Sequence, residues 1–266
     1  MTKTLGLLSF IVGQLLMLAV SSQARQKETG FLNRVFKSGS NSYRYQVYLP
    51  QDWNKKTKWP VILFLHGAGE RGEDGLIQTE VGIGTAIRRF KDRFPCIVVF
   101  PQCRSNVWWS DPEMQAQALK SLDLSLKKFN GDKRRVYLTG LSMGGYGTWQ
   151  GGAKHPGRFA ALVPICGGVK LPVHLAALAG ATSPSQESND PYLATARAIG
   201  NTPVWAFHGA ADPVVPVTES QKLVEAFKNV GGNVRYTEYE GIGHNSWEKA
   251  YANQDLMAWL LSQRLP

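Results

Sequence analysis

Short apolar runs alternate with longer amphipathic stretches along most of the chain. Mostly apolar runs bounded by glycine, proline or polar residues predict strands at 61–65, 97–100, 136–139, 161–165, 204–207 and 234–239. Apolar residues recur at helical spacing in 114–129, 218–230 and 254–264, and residues 145–155 can run as a helix until Pro156 stops it. This alternation predicts an α/β fold with a mostly parallel central sheet covered by helices on both faces.

Two segments depart from this alternation of predicted strands and helices. Residues 30–37 and 43–49 predict two strands joined by a Ser/Gly/Asn turn, which makes an N-terminal antiparallel hairpin. Residues 169–200 hold a Ser/Pro-rich stretch with room for only one or two short helices. We interpret this second segment as a short lid-like insertion that leaves a fairly open cleft.

The N-terminus has the pattern of a signal peptide. Lys3 precedes the apolar stretch 5–20, and a small-x-small cleavage sequence ends at Ala24. We therefore expect residues 1–24 to be removed and residues 25–266 to form a single domain in a secreted or periplasmic protein. The alternative is an uncleaved membrane anchor, but a membrane span needs about 20 predominantly apolar residues, and the apolar stretch 5–20 is shorter than that.

Composition and charge exclude several classes of protein. The chain has 266 residues, 43% of them hydrophobic, which is ample for one large core. Its net charge is +10, and removal of Lys3 with the leader leaves +9. The basic residues are scattered and no nucleic-acid motif accompanies them, so we expect neither nucleic-acid binding nor stable membrane anchoring. Affinity for acidic polymers is a hypothesis that only the charge supports. The sequence leaves no trace of the oligomeric state.

The chain contains three cysteines, Cys96, Cys103 and Cys166. In an oxidising compartment at most one intramolecular disulfide can form among them, and its connectivity is open. The alternative is that all three are small buried hydrophobic residues. No CxxC or HxxxH spacing occurs, so no metal site is expected.

A pentapeptide with glycine at both ends and serine in the middle occupies residues 140–144. It lies between the predicted strand 136–139 and the helical stretch 145–155. A sharp strand-to-helix turn brings backbones and side chains close together, and glycine fits on both sides of Ser142 because it lacks a β-carbon. We interpret Ser142 as a nucleophile; the alternative is a tight turn with no catalytic purpose.

A serine hydroxyl needs a base to take its proton and an acid to orient that base. His244 lies in a glycine-containing loop after the last predicted strand, which suits the base. Asp212 follows the strand 204–207 and precedes a proline, which suits the acid. The order Ser142, Asp212, His244 is the one expected of an α/β-hydrolase.

The reaction also needs donors for an oxyanion. We expect the backbone N–H of Met143 to be one of them. The other should lie in the glycine-rich loop 66–72, where we predict the N–H of Ala68, with Gly69 as the alternative.

Several motifs together resemble a known family. The segments are HGAGERG at 66–72, PQC at 101–103, GLSMGGYGTW at 140–149, the aspartate turn at 208–216 and GHNSWEKAY at 243–251. The chain resembles bacterial secreted α/β-hydrolases that are called phospholipase/carboxylesterase, dienelactone-hydrolase-like or prolyl-oligopeptidase-like. The resemblance implies that tryptophans line the substrate pocket, namely Trp108, Trp109 and Trp247, although they could also cover the edge of the core.

These observations together predict a serine carboxylic ester hydrolase that acts through an acyl-enzyme and needs no cofactor. The expected substrates are small-molecule or polymer-linked esters of short-chain or aromatic acids, of feruloyl or acetyl type. A serine peptidase of prolyl-oligopeptidase type is the alternative within enzymes. A binding module that has kept the scaffold and lost its chemistry is the alternative outside them.

Overall fold

A mixed eight-stranded sheet forms the centre of the computed structural model, which describes residues 28–172 and 189–266. The strand order across the sheet is β1-β2-β4-β3-β5-β6-β7-β8. The strands are β1 Gly30–Ser38, β2 Asn41–Leu49, β3 Trp59–Leu65, β4 Ile97–Pro101, β5 Gly131–Leu141, β6 Ala161–Ile165, β7 Val204–Gly209 and β8 Val234–Tyr239.

The predicted hairpin and the mostly parallel sheet are both confirmed. Strands β1 and β2 pair antiparallel around a two-residue turn, from Gly30 opposite Leu49 to Ser38 opposite Asn41. Strand β2 is also antiparallel to β4, and all further pairs, from β3–β4 to β7–β8, are parallel. The carboxyl ends of six strands therefore meet at one edge of the sheet.

Seven α-helices lie within the described residues. They are α1 Ile83–Arg89, α2 Pro112–Lys128, α3 Met143–Lys154, α4 Pro191–Ile199, α5 Thr218–Asn229, α6 Trp247–Ala252 and α7 Gln254–Ser262. The four predicted helices are α2, α3, α5 and α7. Helices α1 and α6 were not predicted, because with seven and six residues they are too short to show a helical repeat of apolar positions.

Local chemistry sets the ends of these elements. Asp111 caps α2 by accepting hydrogen bonds from the N–H groups of Glu113 at 2.8 Å and Met114 at 3.1 Å. Strand β5 begins at Gly131 rather than at residue 136; its first residues carry charged side chains, which a search for apolar runs overlooks. One of them, Arg135, is held by Asp132 at 2.8 Å.

Helices cover both faces of the sheet and enclose two apolar layers, as predicted. Along β3, Val61, Leu63 and Leu65 belong to one layer, and Ile62 and Phe64 belong to the other. A strand buried on both faces is typical of the centre of a parallel sheet.

Some predictions fall outside the part of the chain that the structure describes. The predicted signal peptide at 1–24 lies there, as do residues 173–188 of the lid-like insertion 169–200. Helix α4 belongs to the described part of that insertion. Across residues 28–172 and 189–266, no helix combines the length and apolar character that crossing a bilayer requires.

Candidate active site

Ser142 lies at a sharp turn between the end of β5 and the start of α3. Its φ angle is +52°, a left-handed conformation that non-glycine residues rarely adopt. A β-carbon on Gly140 would lie 2.3 Å from the backbone oxygen of Gly144, and one on Gly144 would lie 1.9 Å from the oxygen of Leu65. Both glycines are therefore required for this close approach, as the sequence analysis expected.

The three predicted catalytic side chains form one chain of hydrogen bonds. The Ser142 hydroxyl lies 2.8 Å from Nε2 of His244, and Nδ1 of His244 lies 2.7 Å from Oδ2 of Asp212. The Asp212 side chain is fully buried, whereas the His244 side chain is 20% exposed. In the tautomer with Nδ1 protonated, His244 donates to Asp212 and its Nε2 accepts the serine proton.

Asp212 is also held by a second histidine, which was not among the residues predicted for the site. Nε2 of His208 lies 3.2 Å from the carboxylate of Asp212 and 3.0 Å from the backbone oxygen of Val215, while its Nδ1 lies 2.7 Å from the Ser220 hydroxyl. The N–H groups of Val214 and Val215 donate to the other carboxylate oxygen at 2.8 and 3.0 Å.

These contacts fix the charge of the aspartate. Burial raises the pKa of Asp212, but hydrogen bonds from His208, from His244 and from the two backbone N–H groups outweigh it and lower the pKa. The carboxylate therefore stays ionised and can stabilise a protonated His244. The sequence signal that could have revealed the contact between His208 and Asp212 is their four-residue spacing at the end of β7.

The glycine-rich loop is fastened to the end of the neighbouring strand through His66. The N–H of Cys103 donates to Nε2 of His66 at 2.9 Å, and Nδ1 of His66 lies 2.6 Å from the oxygen of Gly67. The indole N–H of Trp109 donates to the backbone oxygen of His66 at 2.9 Å. Complete burial lowers the pKa of His66 to about 4, so the imidazole is neutral at pH 7 and can accept the Cys103 hydrogen bond.

Both predicted oxyanion donors lie at helix starts. Met143 is the first residue of α3, and Ala68 is the first residue of the 3-10 helix Ala68–Glu70, which also contains Gly69. The first N–H groups of a helix have no partner within it and favour negative charge. Ala68 with Met143, or Gly69 as the alternative, remains the prediction for the oxyanion hole.

The three predicted tryptophans occupy different environments. Trp108 packs edge-on against Tyr146 and lines a cavity that begins at Met143. Trp247 lies half-buried against the His244 ring, with centroids 5.5 Å apart. Trp109 is only 1% exposed and packs in the core, so it offers no face to a substrate. The prediction that it lines the pocket is therefore wrong, and its side chain supports the loop at His66 instead.

The cavity beside Met143 is the best candidate for a substrate pocket. Its volume is about 130 Å³. Its lining is mostly apolar and aromatic, and includes Trp108, Tyr146, Trp149, Val169 and Leu171. Gln150 and Lys154 add polar groups.

Glu219 fastens the wall of this cavity to α5. Its Oε2 accepts hydrogen bonds from the N–H groups of Val169 at 2.9 Å and Lys170 at 3.0 Å, and its Oε1 accepts from the Tyr192 hydroxyl at 2.6 Å. These partners lie on both sides of residues 173–188 in the chain. A single buried carboxylate therefore holds both described parts of the insertion.

All three cysteines are free and buried. Of the two alternatives, one disulfide or three small buried hydrophobic residues, the structure has the second. Burial raises the pKa of each thiol, that of Cys103 to about 12.

The fold and the arrangement of Ser142, His244 and Asp212 are those of an α/β-hydrolase. The structure is similar to that of a thermostable esterase, with 36% sequence identity and a TM-score of 0.72. The match covers 88% of this chain and 63% of that one, so this chain spans less than two thirds of that protein. A Clostridium thermocellum feruloyl esterase module in complex with sinapinate shares the fold, with a TM-score of 0.65 at 16% identity over 88% of each chain.

Sequence comparisons place the chain more narrowly. Residues 113–264 match the model of the prolyl oligopeptidase family, and the chain belongs to that family. It is 25% identical over 252 residues to feruloyl esterase B of Thermothelomyces thermophilus, covering 84% of this chain and 83% of that protein. It is 26% identical to feruloyl esterase B of Neurospora crassa, covering 76% of this chain and 75% of that protein. The protein is accordingly a hydrolase, and two of the relatives that it matches over most of their length are feruloyl esterases.

Proposed function

We propose that this protein is a secreted carboxylic ester hydrolase that works through an acyl-enzyme formed on Ser142. The observation that carries the proposal is the continuous hydrogen-bond chain from Ser142 through His244 to Asp212, with distances of 2.8 and 2.7 Å. A nucleophile, a base and an orienting acid within hydrogen-bond reach of one another are what acyl transfer requires.

In the first step, Ser142 Oγ attacks the ester carbonyl while Nε2 of His244 takes the hydroxyl proton. His244 then gives this proton to the leaving alcohol, and Asp212 stabilises the imidazolium that forms in between. The backbone N–H groups of Ala68 and Met143 bind the oxyanion, and loss of one such donor costs about 3 kcal/mol of barrier. Water repeats the sequence and releases the acid.

The cavity supports a short-chain or aromatic acyl group. Its volume of about 130 Å³ is close to that of the roughly 150 Å³ apolar cavity in which an engineered protein binds benzene, so one aromatic ring fits. Two curated relatives are feruloyl esterases, which agrees with a substrate of feruloyl or acetyl type. Turnover on p-nitrophenyl esters of graded acyl length, methyl ferulate and acetylated xylan measures this selectivity.

A fluorophosphonate probe tests the nucleophile directly. The wild type should be labelled and Ser142→Ala should not, whereas Ser121→Ala, which changes a buried serine of α2, should be labelled like the wild type. No labelling of the wild type would contradict the esterase proposal and favour a non-catalytic binding module.

Membership of the prolyl oligopeptidase family makes a serine peptidase the second candidate. Rates on matched p-nitrophenyl ester and p-nitroanilide substrates separate the two, and a preference for the anilide would favour the peptidase. Secretion is tested separately by sequencing the N-terminus of the exported protein, which we expect to begin at Arg25.

A further inference from the structure

A buried thiol that takes no part in the proposed reaction lies beside the catalytic residues. Cys166 directly follows β6, is fully buried and has a φ angle of +40°. Its backbone N–H donates to the oxygen of Phe207 on the neighbouring strand at 2.9 Å, which fixes the residue at the carboxyl edge of the sheet. Non-glycine residues held at positive φ cluster at functional sites.

The thiol forms a compact group with two members of the triad. Sγ of Cys166, a carboxylate oxygen of Asp212 and an imidazole nitrogen of His244 all lie within 4.8 Å of one another. In a tetrahedral zinc site with Zn–S of about 2.3 Å and Zn–N and Zn–O of about 2.0 Å, the ligand atoms lie roughly 3.3 to 3.6 Å apart. A contraction of about 1 Å would bring the three atoms around one cation.

A fourth polar group lies at the same place. The Ser246 side chain is fully buried, and among residues 28–172 and 189–266 its hydroxyl has no hydrogen-bond partner of normal geometry. The backbone N–H of Ser246 donates to the backbone oxygen of His244 at 2.8 Å, which places this residue beside the group. A buried polar atom without a partner costs free energy unless something else satisfies it, and a cation or a cation-bound water would do so.

We propose that Cys166, Asp212 and His244 bind a thiophilic divalent cation such as Zn²⁺ or Cd²⁺, and that the bound cation switches the hydrolase off. Sulfur, imidazole and carboxylate together are a donor set that these cations prefer, and the Ser246 hydroxyl or a water completes four-coordination. The inhibitory effect rests on the proposed function, but the binding does not.

Binding changes the protonation of the site in a defined way. A cysteine thiol is protonated at neutral pH, so it gives up one proton to solvent as sulfur bonds to the cation. At His244 the cation takes a nitrogen lone pair. If it binds Nδ1, the proton there moves to Nε2 and the bond to Asp212 is lost; if it binds Nε2, the base for Ser142 is blocked. Either outcome stops proton transfer.

Binding is tested first in the Ser142→Ala variant, which lacks the nucleophile but keeps every proposed ligand. In tag-free protein we expect one equivalent of Zn²⁺ by calorimetry, release of about one proton, and a thiolate-to-Co²⁺ absorption band when Co²⁺ replaces zinc. Adding Cys166→Ala should abolish the band, and Cys166→Ser serves if the alanine variant unfolds. Adding Cys103→Ala, a buried thiol outside this group, should leave the band in place.

Inhibition is then measured on p-nitrophenyl acetate, with each variant normalised to its own metal-free rate. Zn²⁺ should inhibit the wild type and Cys103→Ala reversibly, with recovery in EDTA, and Cys166→Ala should need at least ~10-fold more Zn²⁺. Equal Zn²⁺ affinity with and without the thiol, or no Co²⁺ band in Ser142→Ala, would overturn the inference. Failure of fluorophosphonate labelling would instead overturn the esterase proposal and leave the binding result standing.

Discussion

Acid should weaken this protein through His66, a residue outside the triad. The imidazole is fully buried and ties the glycine-rich loop to the end of β4 by accepting the Cys103 N–H at 2.9 Å. Protonation of Nε2 would remove the lone pair that accepts this bond and place a charge in the core. Loss of the bond would release the loop that carries the predicted oxyanion donor Ala68.

The magnitude follows from the difference in pKa between the folded and unfolded states. Burial lowers the folded pKa of His66 from 6.5 to about 4. The unfolded chain therefore binds more protons between these values, and the stability due to neutral His66, complete above pH 6.5, declines as the pH falls towards 4. At pH 5 the loss relative to pH 7.5 is about 2 kcal/mol, from 1.36 kcal/mol per pKa unit of differential protonation.

Urea unfolding at pH 7.5 and pH 5 measures this effect in the wild type and in His66→Gln. Glutamine does not titrate, and its side-chain oxygen can still accept the Cys103 N–H. The drop in unfolding free energy between the two pH values should be about 2 kcal/mol smaller in the variant, because all other titrating groups are shared. An equal drop in both proteins would refute the assignment of acid sensitivity to His66.

Three further predictions concern the site and its supports. Asp212→Asn should lower kcat by about 10⁴-fold, as in serine proteases that lose this acid, and near-normal turnover would mean that the acid is another residue. Glu219→Gln replaces one of the two acceptor oxygens with an amide N–H, so either the two backbone N–H groups or the Tyr192 hydroxyl loses its acceptor. KM for methyl ferulate should then rise several-fold while KM for p-nitrophenyl acetate changes little; equal changes would argue against a role for this clamp in shaping the pocket. Gly144→Ala places a β-carbon 1.9 Å from the Leu65 oxygen and should abolish activity or folding, whereas Gly69→Ala, whose β-carbon meets nothing within 4 Å, should keep a wild-type circular dichroism spectrum.

The glycine-serine-glycine turn shows why part of the site could be predicted. The need for glycine at 140 is local, because a β-carbon there would meet the Gly144 oxygen of the same turn; the need at 144 comes from the close approach of Leu65 on β3. The positions of Asp212 and His244 could also be predicted from the sequence, since the carboxyl ends of parallel strands share one edge of the sheet.

The sequence alone thus determined the order and type of the strands and the three residues that meet at their ends, because strand pattern, turn chemistry and chain order are local properties. Tertiary structure decided which neighbours surround them. Trp108 and Trp109 are adjacent in sequence, yet one lines the cavity and the other supports the loop, because packing decides which way each side chain faces. The second histidine on Asp212 and the Cys166 thiol beside the triad arise in the same way, from contacts between strand ends that only the assembled sheet brings together.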